Sequence, residues 1–112
     1  MELFFADPAL QHIAESAIRS DAHFGSRDGA LVRQRLCELA ASGNLAIATT
    51  VPTLDVKPLA SHERGFVLRL RAQLRLVFEI PDPVPLEDGN SEVDLAKVGT
   101  IRILAIEECD EP

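Results

Sequence analysis

Three arginines lie within seven residues in the most regularly patterned stretch of the chain, Gly65 to Ile80. Apolar residues alternate with other residues there at the period of a β-strand, and a break near Arg71-Ala72 predicts two strands joined by a turn. The alternation places Arg69, Arg71 and Arg75 on the face opposite the apolar one. Because guanidinium groups bind phosphate in a bidentate manner, this face could be a phosphate-binding surface, although a solvated outer face explains the spacing equally well.

Three further side chains with suitable chemistry precede the hairpin: Lys57, His62 and Arg64. Lysine and arginine neutralise phosphate charge, but a lysine ammonium that stays protonated at neutral pH is a poor general base. His62 belongs to the residue type that titrates near neutral pH. A histidine in a polar loop, here residues 60–65, is also readily explained as an exposed surface residue.

The formal net charge of −7 argues at first sight against a nucleic-acid partner, but the charge is unevenly distributed. Residues 57–75 carry a net charge of +4, whereas residues 81–98 and 107–112 each carry −4. Exposed charges further apart than a Debye length, about 10 Å at 0.1 M salt, are largely screened from one another. A locally basic hairpin can therefore bind a polyanion even in an acidic chain.

The length of 112 residues predicts a single domain, residues 1–112, with one modest core. No apolar run is long enough to cross a bilayer, and the first residues lack the basic start of a signal peptide, so we expect a cytoplasmic protein. Cys37 and Cys109 are expected to be free thiols. The cysteines and the three histidines form no zinc motif, and we expect no cofactor.

The first half of the chain predicts a short strand and then two amphipathic helices. Leu3–Phe5 is a short apolar run, and Asp7-Pro8 is typical of a helix start. One helical apolar stripe follows, up to the break at Gly25: Leu10, Ile13, Ala14, Ala17 and Ile18. Ser26 or Asp28 can cap a second helix, which ends at residues 42–44 and buries Val32, Leu36, Leu39 and Ala40.

The second half predicts the strands of a sheet, across which the two helices pack. Residues 44–53 are interpreted as a connecting segment, and Leu54–Leu59 as an edge strand because of Pro58. The hairpin turn lacks the Asn or Gly that a two-residue turn prefers, which predicts a wider loop or local strain. Residues 81–98 form a long acidic loop insertion, and Thr100–Ile106 is predicted as a strand inside the sheet.

Three segments of the chain resemble the RelE/ParE toxin superfamily, in particular its HigB-like branch of plasmid-maintenance killer proteins. They are VPTL and KPL within Val51–Leu59, RGFVLRLRAQLRLVFE at Arg64–Glu79, and DPVP, EDG and IRILAI within Asp82–Ile106. The resemblance implies an α+β fold with two N-terminal helices packed on a mainly antiparallel sheet. It also implies the toxin of a type II toxin–antitoxin pair, neutralised by a HigA-like helix–turn–helix antitoxin. Many such toxins are mRNA interferases, endoribonucleases that cleave mRNA on the ribosome.

The resemblance assigns roles to several of these residues. Arg75 would hold the scissile phosphate, although a structural pair with Glu79 or the acidic tail is equally open. Arg64 would contact phosphate. Arg69 and Arg71, from the charged face of the hairpin, and His62, from its titration range, are further RNA-binding candidates, although His62 matches no motif position of the family. Lys57 stands where related members carry histidine.

At the C-terminus, Glu108, Cys109 and Asp110 stand where related members carry Asp, Tyr and His. RNA cleavage through the ribose 2′-hydroxyl needs a group that takes its proton, and a carboxylate can do so. Glu108 and Asp110 are therefore catalytic candidates beside Arg75 and Lys57. Two alternatives remain open: a catalytically impaired binding module for an antitoxin or another protein, and a gyrase poison as in the ParE branch.

Overall fold

The two hairpin strands lie within a five-stranded sheet in the computed structural model, which describes residues 1–87 and 92–109. The elements follow the chain in this order: β1 (Glu2–Phe5), α1 (Pro8–Glu15), α2 (Ala17–Phe24), α3 (Ser26–Ala41), α4 (Leu45–Ala48), β2 (Asp55–Pro58), β3 (Gly65–Arg71), β4 (Leu74–Glu79), a 3-10 turn (Leu95–Lys97) and β5 (Thr100–Glu108). The predicted α+β class is therefore confirmed, with two more helices than expected in the described residues.

The sheet is mainly antiparallel, with strand order β1-β5-β4-β3-β2. Only the pair β1–β5 is parallel, with Glu2 opposite Thr100. The predicted edge position of β2 and the predicted interior position of β5 are both confirmed. One sheet face, which we call the helix face, carries the buried apolar hairpin residues and packs with Val32, Leu36 and Leu39 of α3. The opposite face is called the open face.

The first helical region is two helices rather than one. Asp7 caps α1 as predicted, accepting a hydrogen bond from the Ala9 amide at 2.9 Å. At Ser16 the backbone is extended, and the Ser16 hydroxyl accepts from the Arg19 amide and caps α2. The predicted stripe through Ile18 is therefore wrong, and the Ile18 side chain is 84% exposed. A serine that can cap a new helix competes with continuation of the old one.

Helix α3 begins after Gly25, whose φ of 89° is the only positive value in the described chain. No side chain caps α3, so neither Ser26 nor Asp28 has the predicted capping role. Val32, Leu36 and Leu39 are buried as predicted, but Ala40 is exposed. Ala40 lines an open groove of about 420 Å³ between α1, α3 and β1, which explains its exposure.

The connecting segment after α3 contains the unpredicted helix α4. The Asn44 side chain accepts from the Ile47 amide at 2.9 Å and starts this single turn. Leu45 and Ala48 are fully buried in the core. The short helix thus anchors the segment that leads into β2.

The hairpin turn consists of Ala72 and Gln73, one residue later than predicted, and is not a wide loop. Arg69 pairs with Arg75 but Arg71 pairs with Leu74, so β3 has a bulge at Leu70. A bulge increases the local twist, which allows a tight turn without glycine. The predicted core face is confirmed, since all seven of its residues are buried: Phe66, Leu68, Leu70, Leu74, Leu76, Phe78 and Ile80.

The acidic loop is partly packed in its described residues, 81–87 and 92–98. Leu86 and Val93 form an isolated antiparallel bridge, and Val98 is buried in the core. Val84, Val93 and Leu95 pack against the same core. These contacts tie the insertion to the domain. Among the described residues, no helix has the length and apolarity needed to cross a membrane.

Candidate anion site on the open sheet face

Four charged residues line up across the open face, one from each of four neighbouring strands. Asp55 is the cross-strand partner of Arg69, Arg69 of Arg75, and Arg75 of Glu107. Directly opposed residues on a sheet point to the same face, so these side chains form one line, which we call the arginine row. Two cations occupy its centre and one carboxylate occupies each end.

Arg75 is incompletely paired within the arginine row. Its Nη2 atom donates to Glu107 Oε2 at 3.3 Å. Its Nε atom is buried and has no hydrogen-bond partner among the described residues. The Nε–H and Nη2–H groups form one edge of the guanidinium, the fork that binds a carboxylate or phosphate through two bonds. Glu107 therefore uses one half of this fork, and the other half is shielded from solvent.

A small cavity of about 70 Å³ lies beside the two arginines. Its lining contains three cations, a carboxylate, a thiol and an apolar side chain: Lys57, Arg69, Arg75, Asp55, Cys109 and Val67. Sites for drug-sized ligands measure roughly 300–1,000 Å³, so this cavity admits a small anionic group rather than a whole nucleotide. The excess of positive charge in its lining favours an anion.

Lys57 lies two residues after Asp55 on β2, next to the arginine row, and its cross-strand partner is Val67. Its side chain is exposed, and its Nζ atom is 3.8 Å from Asp55 Oδ1. The structure therefore brings three of the predicted residues together around one cavity: Lys57, Arg69 and Arg75.

A second charged group, which we call the Glu79 cluster, lies at the other end of the hairpin strands. Glu79 Oε1 is 3.0 Å from His62 Nε2, and Glu79 Oε2 is 3.3 Å from Arg102 Nη1. The backbone amide of Arg64 donates to His62 Nδ1 at 3.1 Å. Because Nδ1 accepts, Nε2 carries the proton and donates to Glu79.

The Glu79 cluster corrects one expectation, because His62 is half-buried rather than an exposed loop residue, and both of its ring nitrogens are engaged. Of the two structural partners considered for Arg75, the acidic tail is confirmed through Glu107, and Glu79 is not the partner. A β-carbon at Gly65 would lie 2.8 Å from the His62 Cβ, so the ring packs where only glycine leaves room.

Arg64 lies at the same end as the Glu79 cluster, away from the arginine row. Its guanidinium pairs with Asp82 of the acidic loop, and its carbonyl accepts from the Ile80 amide at 3.0 Å. The predicted RNA-binding residues His62 and Arg64 thus form one group, and Arg69 and Arg75 form another.

Arg71 is not on the open face, and this prediction is wrong. Because of the bulge at Leu70, the cross-strand partner of Arg71 is Leu74, which is buried on the helix face. Arg71 therefore points to the helix face as well. Its Nε atom donates to both carboxylate oxygens of Asp28 on α3, at 3.0 and 3.1 Å. An extra residue in a strand reverses the face of those that follow it, which explains the change.

Glu108 also lies away from Arg75. It is the partner of Leu74, and its nearest cation is Arg71, with Oε1 3.8 Å from Nη2. Glu107, which sequence reasoning missed, takes the place beside Arg75. A second bulge lies in β5 where that strand pairs with Val77 and Phe78 of β4. Because of this bulge, Glu107 rather than Glu108 is paired with Arg75. Asp110 lies outside the described residues.

In the described chain no three His, Cys, Asp or Glu side chains converge as a metal site, and Cys37 and Cys109 are free thiols as predicted. Chemically, the arginine row offers cations for a phosphate group and a carboxylate that can accept a proton.

Comparisons of the chain with protein-family models, curated proteins and solved structures find no match.

Proposed function

We propose that this chain is the toxin of a type II toxin–antitoxin system, a HigB-like endoribonuclease that cleaves mRNA on the ribosome. The motif resemblance and the α+β class support this proposal. The observation that carries it is the small cavity on the open face that Lys57, Arg69 and Arg75 line together. Three cationic side chains around one small cavity favour an anionic group such as a phosphodiester.

In this function the arginine row holds the scissile phosphate. Arg75 and Arg69 donate hydrogen bonds to its oxygens and offset the negative charge that develops in the transition state. Lys57 adds a third positive charge from the next position along the sheet. This assignment keeps three of the predicted residues in their roles and gives His62, Arg64 and Arg71 structural contacts instead.

The RNA would be held by its backbone rather than by its bases. The chain contains no Tyr or Trp, and Phe66 and Phe78 stack on each other in the core with centroids 5.6 Å apart. The exposed Phe4 is the cross-strand partner of Arg102 and not of a residue in the arginine row. Proteins that bind single strands usually stack bases on exposed aromatic side chains. We propose that the ribosome supplies the missing positioning of the mRNA, that the protein acts in the cytoplasm, and that a HigA-like helix–turn–helix antitoxin neutralises it.

A second candidate is a toxin-fold binding module that has lost cleavage. The observation that favours it is the pair of carboxylates, Asp55 and Glu107, at the two ends of the arginine row. Both repel a phosphate group and compete with it for the guanidinium groups. In this reading the protein binds an antitoxin or another protein tightly and leaves RNA intact.

The test is induced expression in a bacterial host without an antitoxin, with growth and mRNA integrity followed together. We expect growth arrest by the unaltered chain, and loss of arrest in Arg75→Ala because the phosphate loses its main ligand. Arg102→Ala is the matched control: it removes an arginine from the same face, but from the Glu79 cluster, and is expected to retain arrest.

Normal growth with folded protein would contradict the nuclease and favour the binding module. Arrest with intact mRNA and inhibited DNA supercoiling would favour the gyrase alternative. Equal loss of arrest in Arg75→Ala and Arg102→Ala, with both proteins folded, would contradict the assignment to the arginine row.

A further inference from the structure

Strand β5 is longer than its neighbour β1, so part of its outer edge has no strand beside it. The pairing with β1 ends at Ile103, whose carbonyl accepts a hydrogen bond from the Ala6 amide at 2.9 Å. After Ala6 the chain leaves the sheet and enters α1. Residues 104–108 therefore pair only with β4 in the part of the chain that the structure describes. We call residues 104–108 the free edge.

The hydrogen bonds to β4 show which backbone groups the free edge offers. The Cys109 amide donates to the Gln73 carbonyl at 2.9 Å. In an antiparallel pair, residues that exchange hydrogen bonds alternate with residues whose N–H and C=O groups point away from the partner strand. Glu107 therefore bonds to β4 as Cys109 does, whereas Ile106 and Glu108 direct their amide and carbonyl groups outward. These groups form the template on which an added strand can pair.

The two outermost strands of the sheet are less suitable for strand addition. The outer strand β2 ends in Pro58, which has no amide hydrogen, and also carries Lys57. Both features discourage the addition of another strand. The outer strand β1 is apolar apart from Glu2, so it offers little charge by which a partner could be selected.

The side chains of the free edge determine which partner fits. Glu107 is 44% exposed and Glu108 is 82% exposed, and Arg75 and Arg71 approach these carboxylates only to 3.3 and 3.8 Å. Ile106 is half-buried and packs against the core. A second copy of this chain, joined at the same edge, would bring glutamates close to glutamates, and like charges on neighbouring strands repel. The free edge therefore disfavours a second copy and favours a basic partner.

We propose that the free edge binds a basic, extended segment of another protein as a sixth strand of the sheet. An apolar residue of this segment lies opposite Ile106 and forms the backbone hydrogen bonds, and a lysine or arginine lies opposite Glu107 on the open face. Apolar and basic residues alternate along the segment, because successive side chains of a strand point to opposite faces. The proposal does not depend on RNA cleavage and goes beyond the proposed function.

The first test uses a fluorescent ten-residue peptide of alternating lysine and valine, with binding measured by fluorescence anisotropy at about 0.1 M salt. Two matched derivatives carry N-methyl groups, one on its valine amides and one on its lysine amides. Methylation of the valine amides should weaken binding about tenfold or more, because these amides face Ile106 and Glu108 and lose a hydrogen bond. Methylation of the lysine amides, which point away from β5, should leave the affinity unchanged.

Equal affinities of the two methylated peptides would show attraction by charge without strand pairing, and would overturn the proposal. Absence of binding by the unmethylated peptide would overturn it as well. Neither result bears on growth arrest or mRNA cleavage, so the proposed function is tested separately.

The second test places the peptide on the protein by comparing Glu107→Gln with Asp55→Asn. Both substitutions turn a carboxylate of the arginine row into an amide, but Asp55 lies on β2, at the opposite end of the row. Glu107→Gln should weaken binding of the unmethylated peptide about threefold, as for the loss of an exposed ion pair, and Asp55→Asn should not change it. Equal weakening by both substitutions would contradict binding at the free edge.

Discussion

The arginine row and the Glu79 cluster both draw on strands β4 and β5 and lie on the same sheet face, yet they are paired in opposite ways. In the Glu79 cluster each carboxylate oxygen has one partner, and each nitrogen of His62 has one partner. In the arginine row two guanidinium groups face each other across the strands, and one buried donor has no partner in the described residues. Like charges directly opposed on a sheet are destabilising.

This difference distinguishes a cluster that holds the fold together from one that can bind a ligand. A satisfied polar network rigidifies its surroundings and gains little from another ion. An incompletely satisfied one can gain free energy when an anion binds. Stability measurements test this distinction, because changes in the Glu79 cluster should lower the free energy of unfolding more than changes in the arginine row.

The largest expected effect is that of Gly65→Ala. The added β-carbon would lie 2.8 Å from the Cβ and 2.9 Å from the Cγ of His62, so the ring must leave Glu79. We expect a loss of about 2 kcal/mol in the free energy of unfolding, as for other overpacked sites, measured by urea denaturation. Gly99→Ala is the control, since nothing lies within 4 Å of its β-carbon. Equal stability of the two variants would show that the His62 contact is not needed.

A smaller effect is expected from Glu79→Gln. One of the two acceptor oxygens becomes an amide donor that faces either His62 Nε2–H or Arg102, so one donor loses its partner. We expect a loss of about 1 kcal/mol, measured as above. The same change in the arginine row, Glu107→Gln, should alter stability by less than about 0.5 kcal/mol, because exposed ion pairs contribute little. A larger loss at Glu107 than at Glu79 would reverse the comparison.

The smallest effect is expected from Glu38, a carboxylate outside both clusters. The hydrogen bond from the Thr53 hydroxyl, supported by Arg35, holds the pKa of Glu38 below its ordinary value of 4.5. Since the pKa is lower in the folded chain, the charged group stabilises the fold above pH 4.5, and this is lost as the pH falls through the folded-state pKa.

Urea denaturation at several pH values checks this. Glu38→Gln should be slightly less stable than the unaltered chain at pH 7, and the difference should shrink in acid. A difference that is the same at both pH values would assign the effect to packing rather than to charge. Subtracting the contribution of Glu38 leaves the pH dependence of the free energy of unfolding that arises elsewhere in the protein.

The strands and their buried faces were predictable from the sequence because the hairpin alternates strongly. Phe66, Leu68 and Leu70 alternate with a valine and two arginines, and only one pairing buries all of the apolar residues. The helix break at Ser16 was missed because its apolar spacing continues without interruption to Ile18. There the capping preference of one serine outweighed the periodicity.

Of the candidate site, the sequence located the arginines and offered the acidic tail as a partner of Arg75, but it did not single out Glu107. Strict alternation placed Arg69 and Arg75 correctly, because the two residues are direct cross-strand partners and the bulge begins only after Arg69. It failed at Arg71, which lies beyond a bulge that reverses the alternation. It assigned no face to Glu107, because the predicted strand ended at Ile106, whereas β5 extends to Glu108 and contains a second bulge. Bulges depend on the twist and pairing of the whole sheet, which a pattern along one strand does not contain.

The parallel pair of β1 and β5 has a consequence for the synthesis of the protein. Glu2 meets its partner only at Thr100, so the first strand has no place in the sheet until almost the entire described chain has been made. At about 5–20 residues per second, the N-terminal segment waits roughly 5 to 20 s. The arginine row is completed later still, because its last member is Glu107. Binding at the proposed anion site therefore requires a chain whose synthesis is nearly finished.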